Sequence, residues 1–256
     1  MPSYTLKKSL GQHFLKDEAF CEKIVEGIEK RMLQRLVEVG PGGGAITKYL
    51  YNKPGIDFKA VEFDHEKVIW LQSQFAGLED KIIEADFLAV EAPFNEPFMV
   101  VGNFPYNIST QIVFKVLDWR ENVPAMVGMF QKEVGLRICA KPGSKTYGIL
   151  SVLCQAFYYT EYLFDVPPEA FLPPPKVTSG VVSMIRKPDT PVMRSEKDFF
   201  NLVKTAFNQR RKMLRNGVQT LFPKSILTDV LFSKRPEQLS VEEFCSLTFK
   251  MSGGES

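Results

Sequence analysis

Leu36-Val37-Glu38-Val39-Gly40-Pro41-Gly42-Gly43-Gly44-Ala45-Ile46-Thr47 is the most informative segment of this chain. A short apolar run reads as a buried parallel strand. Four glycines in five positions then make a turn with no side chains in the way, and Ala45 to Leu50 reads as the start of a helix. Strand, glycine turn and helix form the nucleotide-binding half of a doubly wound sheet, in which backbone N–H groups and a helix N-terminus face a ligand. The dinucleotide fingerprint needs its third glycine one place later, so the spacing here, with Glu38 just before it, argues against a pyrophosphate.

Working outward, Phe58 to Asp64 is a second apolar strand that ends in acid, and Glu62 is placed to accept from ribose hydroxyls. Lys81 to Phe87 is a third strand of the same kind and carries Asp86. Glu38, Glu62 and Asp86 near the carboxyl ends of adjacent strands line the pocket with negative charge. That suits a ligand bearing sulfonium and ammonium groups, so S-adenosylmethionine fits and NAD fits poorly. The blander reading is that one or two of these acids cap helices or face solvent.

Pro97 to Gly102 reads as a fourth strand that delivers Asn103-Phe104-Pro105-Tyr106 to the same edge. An adenine exocyclic amine is a poor nucleophile because its lone pair is delocalised into the ring. An Asn oxygen and a backbone carbonyl exposed before proline can accept its two N–H bonds and aim the lone pair at a methyl donor. Pro105 stiffens the turn, and Tyr106 offers a ring for an extruded base. The alternative is an ordinary strand-to-helix turn.

Val123 to Phe130, Tyr162 to Val166 and Val177 to Arg186 read as further strands. Asp17 to Glu29, Glu66 to Phe75, Lys132 to Ala140 and Tyr147 to Tyr159 read as helices. Pro167 to Lys176 is a proline-rich, stiff loop carrying Phe171, whose ring by itself reads best as a hydrophobic plug. Pro188 to Pro191 marks a boundary, giving a sheet domain over 1–187 and a small helical domain over 188–256. Ser195 opens a helix whose stripe runs from Phe199 to Leu221, with Gly217 as its breaker, and on which Lys204, Arg211 and Arg215 fall within about 40° of one another. Ser240 caps a last helix.

At 256 residues, 45% hydrophobic and 24% charged, the chain has ordinary globular composition. Its four cysteines show no CxxC spacing, so neither a metal site nor a disulfide framework is expected. The start, Met1-Pro2-Ser3-Tyr4 followed by lysines, reads as neither signal peptide nor membrane span, and a cytoplasmic protein is expected. Net charge is only +2. Its distribution is uneven, because no acid lies between Asp198 and Asp229 while Lys204, Arg210, Arg211, Lys212, Arg215 and Lys224 do, and Lys7, Lys8 and Lys16 precede the first acid. Such islands suit a nucleic-acid face, although a basic ridge can also be plain solvated surface.

Taken with Lys8-Ser9-Leu10-Gly11-Gln12-His13-Phe14-Leu15, the glycine loop, Gly102 through Thr110, Phe171 through Ser179, and Phe207 through Asn216 in one order, the chain resembles the ribosomal RNA adenine dimethyltransferases, most closely the small-subunit branch. The resemblance runs from about Lys7 to about Leu247. It implies a Rossmann-like class I methyltransferase sheet, mostly parallel with an antiparallel last strand, and a C-terminal helical RNA-binding domain. It implies contacts to S-adenosylmethionine from His13, Leu15, Gly40, Glu62, Asp86 and Asn103, catalysis by Asn103 with Pro105, and an adenine held between Tyr106 and Phe171. The partner it implies is small-subunit ribosomal RNA in an assembling particle, where two adjacent adenosines of the last hairpin loop are each methylated twice, with Lys204, Arg211, Lys212 and Arg215 on the RNA. His13, Phe104 and Gln111 stand where the family commonly has Asn, Leu and Pro. A resistance-type large-subunit methyltransferase, a DNA adenine methyltransferase and a non-catalytic assembly factor are the competing readings.

Overall fold

The computed structural model describes residues 13–253, so the arm residues before His13, with Lys7, Lys8 and the motif up to Gln12, lie outside it. The chain forms two compact units, one running to Gly135 and including Glu161–Arg186, the other made of Leu136–Thr160 and the chain from Lys187 onward.

The first unit holds a seven-stranded sheet. Its strands are β2 (Arg35–Val39), β3 (Asp57–Glu62), β4 (Ile82–Glu84), β5 (Met99–Asn103), β6 (Ala125–Gln131), β7 (Tyr158–Val166) and β9 (Ser179–Arg186), in the order β4-β3-β2-β5-β6-β9-β7. The pairs β4–β3, β3–β2, β2–β5 and β5–β6 are parallel and β6–β9 is antiparallel, as the sequence predicts. The order steps outward from β2 in both directions, so the crevice beyond the carboxyl ends of β2 and β5 is the ligand-binding position of an open α/β sheet.

Helices follow from local signals. Asp17 accepts from the Ala19 N–H at the start of α1 (Glu18–Glu29), and Asp64 accepts from the Glu66 N–H at the start of α3 (His65–Gln74). The helix after the glycine turn, α2, is shorter than expected, Thr47–Leu50. Central strands β2 and β5 are buried except at Arg35 and Asn103, and Glu38 is the one acid buried within them.

Two short strands were not foreseen. β1 (Phe14–Leu15) pairs antiparallel with β8 (Phe171–Leu172), matching Leu15 to Phe171. Two residues are too few to show a period of two, and the pairing joins the arm to the proline loop across most of the first unit's sequence.

The second unit is helical and includes a segment that sequence reading assigns to the sheet domain. α6 (Ile149–Phe157) is apolar on nearly every face, which requires cover on every side. Phe157 lies 6.4 Å from Phe199 and 6.2 Å from Phe200, ring centre to ring centre, while Tyr147 lies 6.3 Å from Phe207. These rings join α6 to α7 (Glu196–Asn208), whose Ser195 cap accepts from the Asp198 N–H as the sequence predicts. α7 ends at Asn208, before Gly217, and the chain turns over 209–213 into α8 (Leu214–Val218). Lys204, Arg211 and Arg215 therefore lie on a helix, a turn and another helix, and the single ridge expected of them does not form. The last helix, α9 (Val241–Thr248), begins at a capping box between Ser240 and Glu243. No helix among the described residues is long and apolar enough to cross a membrane.

Candidate active site

One cavity of about 290 Å³ opens at the carboxyl ends of β2, β3 and β5 in the first unit. It is lined by His13, Leu15, the glycine turn, Glu38, Glu62, Asp86 and Asn103 through Ile108. The expected cofactor residues, with Pro105 and Tyr106, thus meet at one place. Phe171 is the exception among the first unit's candidates.

The glycine turn is held in shape by the acid of the next strand. Gly40, at φ +65°, takes a left-handed conformation and donates its N–H to the Val61 carbonyl at 2.9 Å. Glu62 accepts from the Gly42 N–H and from the Asp64 N–H, each at 3.1 Å. Its carboxylate is 5% exposed, with the Lys67 ammonium 3.9 Å away. An acceptor already oriented by two backbone donors keeps lone pairs for a ligand hydroxyl and pays little reorganisation to use them.

Glu38 differs. It is 1% exposed, its Oε2 has no hydrogen-bond partner, and burial, with Glu62 adding to the effect, pushes its carboxyl up to about 8. The Thr47 hydroxyl is the one neighbour that favours the charged form, yet it completes no hydrogen bond. At pH 7 the ligand-free site therefore carries less negative charge than three strand-end acids suggest. A cationic ligand against Glu38 would restore the ionised form. Asp86 lines the cavity from an exposed position and also accepts from the Leu88 N–H at 2.9 Å.

Asn103 closes β5. Its Nδ2 donates to the His13 carbonyl at 3.3 Å, and its Oδ1 has no partner among the described residues. Pro105 supplies no N–H, and the Phe104 carbonyl before it also accepts no hydrogen bond among those residues. Two consecutive residues of the loop thus each carry an acceptor with no partner among the described residues. The Tyr106 hydroxyl is 2.5 Å from Ser179 Oγ, and burial raises its phenol above the ordinary value, so it is neutral at pH 7. Its ring centre lies 5.8 Å from that of His13. His13 donates from Nδ1 to the Pro173 carbonyl at 2.8 Å, which commits one ring nitrogen to the proline loop.

Phe171 is 1% exposed and belongs to the core cluster with Leu15, Cys21 and Ile24, so its ring does not face Tyr106 across the cavity here. The alternation of β8 accounts for this, since Phe171 pairs with buried Leu15 while Leu172 is exposed. The plug reading of this ring describes its position. Sequence reasoning missed Phe63, 67% exposed at the cavity wall between Glu62 and Asp64. The available signal was an aromatic residue inside the acid-ended strand terminus, where solvent exposure costs apolar surface.

In the second unit, Arg210 is held by Glu237 at 2.8 Å and by the Lys145 carbonyl, whereas exposed Arg211 and Lys212 have no ion-pair partner among the described residues. Arg215 lies 3.1 Å from Met213 Sδ.

The cavity thus brings strand-end acids, a glycine turn and the Asn103–Tyr106 loop to one place. Comparison with known proteins agrees. Residues 3–250 match the ribosomal RNA adenine dimethylase family. The chain is 52% identical to ribosomal RNA small subunit methyltransferase A of Flavobacterium johnsoniae, over 98% of this chain and 97% of that one. It is 50% identical to the protein of the same name from Phocaeicola vulgatus, over 94% and 88%. Its fold superposes on a dimethyladenosine transferase from Plasmodium falciparum with a TM-score of 0.77, at 23% identity over 92% and 96% of the two chains. The 23S rRNA methyltransferase ErmE gives 0.68, at 23% identity over 91% and 99%. With the whole sheet, the glycine turn and the Asn103 loop inside the family match over residues 3–250, the chain belongs to the ribosomal RNA adenine dimethylase family.

Proposed function

We propose that this chain transfers methyl groups from S-adenosylmethionine to the exocyclic amines of two adjacent adenosines in the 3′-terminal hairpin loop of 16S ribosomal RNA, acting as a cytoplasmic monomer on an assembling small subunit. The observation that carries this reading is the pair of open acceptors, Asn103 Oδ1 and the Phe104 carbonyl, beside the glycine-turn cavity.

The residues present fit the cofactor. Glu62 would hold its ribose, Glu38 and Asp86 would face its cationic groups, and Phe63 would cover its base. When bound, the cofactor supplies an electrophilic methyl group on a sulfonium centre. Asn103 and the Phe104 carbonyl accept from the adenine amine and draw its lone pair out of the ring plane, and this help grows as the nitrogen gains positive charge. With a methyl group so supplied, the amine would give up one proton to solvent for each methyl it gains, and the two acceptors would hold the nitrogen while it does so. Tyr106, anchored through Ser179, provides a fixed ring face for the base. Arg211 and Lys212, with Lys204 and Arg215, meet RNA phosphates.

The test is to map dimethyladenosine on ribosomal RNA from cells lacking the gene, complemented with the native chain or with Asn103→Ala. The native chain should restore both modified adenosines on the small subunit. Modification of large-subunit RNA instead would favour the resistance-type enzyme, and restored assembly without any methylation would favour the assembly-factor reading.

A further inference from the structure

The catalytic loop contains one side chain directed into the protein, that of Phe104, which is 1% exposed. Beneath it, Gly102 of β5 and Gly128 of β6 are direct partners in the parallel ladder. A Cβ at Gly128 would stand 2.1 Å from Phe104 Cε2, and a Cβ at Gly102 would stand 2.8 Å from Cε1. Both values are below any non-bonded carbon–carbon contact, so the ring fills the space a side chain at Gly128 would need, and at Gly102 it excludes a side chain together with the Val39 carbonyl oxygen, 2.5 Å from that Cβ. The fit is completed by Phe130, whose ring meets that of Phe104 edge-on at 5.2 Å between centres, and by the hydrogen bond from the Phe104 N–H to the Met129 carbonyl at 3.2 Å.

We infer that Phe104 is a positioning residue for methyl transfer: its ring, lying on the bare backbone of Gly102 and Gly128, sets the height of Asn103, the Phe104 carbonyl and Tyr106 above the sheet. Asn103 and Tyr106 flank the ring in sequence, and Phe104's own carbonyl is one of the two acceptors. A displaced ring therefore moves the acceptors directly. Near-attack geometry is sensitive at this scale, since a shift of about 1 Å at a reacting group can cost about 100-fold in rate.

The inference rests on the adenine-methylation reading, and the native chain serves as its separate control, because absence of dimethyladenosine from the native enzyme would defeat that reading and not this one. Single-turnover rate, S-adenosylmethionine affinity and the ratio of monomethyl to dimethyl product are measured for Gly128→Ala, Phe104→Leu and the double variant. Gly128→Ala drives a methyl group into the ring and should lower the rate at least about tenfold, with cofactor affinity unchanged and monomethyl product enriched. The double variant should turn over faster than Gly128→Ala, because leucine lacks the outer ring atoms that the new methyl group strikes. If Gly128→Ala does not fold, the decision passes to Phe104→Leu, which loses only buried volume and should show a rate at least about threefold lower with the same product shift. Native rate and product ratio in the folded single variants, or losses that simply multiply in the double variant, would overturn the inference.

Discussion

The Asn103 side chain is oriented by the His13 carbonyl, since only Nδ2 can donate to it, and in the proposed reaction Oδ1 is the atom left for the adenine amine. Asn103→Ala should therefore lower single-turnover rate about 100-fold or more while weakening RNA binding far less, as removal of a preorganised polar partner does. Wild-type rate in that variant would remove the residue from the chemistry. Glu38 gives a second expectation at this scale. Its folded value near 8 lies above the ordinary 4.5, so between those values the folded state holds a proton that the unfolded state has lost. Stability from this group is full below pH 4.5 and falls as pH rises toward 8. Ligand-free Glu38→Gln should lose that slope, and its melting temperature should gain on the native chain by several degrees from pH 5 to pH 8. Parallel melting curves would mean that Glu38 is already ionised.

At the scale of elements, strands and helices were readable where one short segment settles its own fate. β2 and β5 are apolar because both their faces are covered, and α1, α3 and α7 begin at side chains that cap them. The turn at 209–213 was not readable, because a stripe from Phe199 to Leu221 satisfies a helical period across it. The last turn of α7 closes locally, with the Gln209 N–H bonding back to Ala206 at 3.4 Å, and the tertiary contacts that follow are those of the Arg210 side chain with Glu237 and the Lys145 carbonyl. The turn thus divides three adjacent cations by role. Replacing Arg211 and Lys212 together by Gln should flatten the slope of log affinity for RNA against log salt by about 1.4–1.8. Arg210→Gln should lower melting temperature instead, with its effect on the slope smaller than one phosphate contact predicts. Equal slope changes from Arg210 and Arg211 would refute that division.

Over the whole molecule, a net charge of +2 conceals a strong imbalance. The second unit carries 15 basic residues against 8 acidic, and the first carries 17 against 22. One unit is thus +7 and suited to a polyanion, while the other is −5 and suited to a cationic methyl donor. The basic island was visible in the sequence. The full imbalance was not, because Leu136–Thr160, which has three basic residues and no acid, joins the second unit through ring packing of Tyr147 and Phe157. Most of the residues that line the first unit's cavity were legible as a list, since strand-end acids and Asn-Phe-Pro-Tyr stand out locally, while Phe171 is buried away from it. Their support was not, since the pairing of Phe14–Leu15 with Phe171–Leu172 leaves no periodic trace and joins segments far apart in the chain. That pairing also bears on how the enzyme is made. His13 and Pro173, which share a hydrogen bond, stand 160 positions apart, so the wall behind the cavity closes only after the proline loop has been synthesised. A nascent chain carries the sequence of the glycine turn and the Asn103 loop well before it carries Pro173 and Ser179, the partners of His13 and Tyr106. The part of the cavity wall carried by His13 to Leu15 can consequently be set in place only once translation has passed β8.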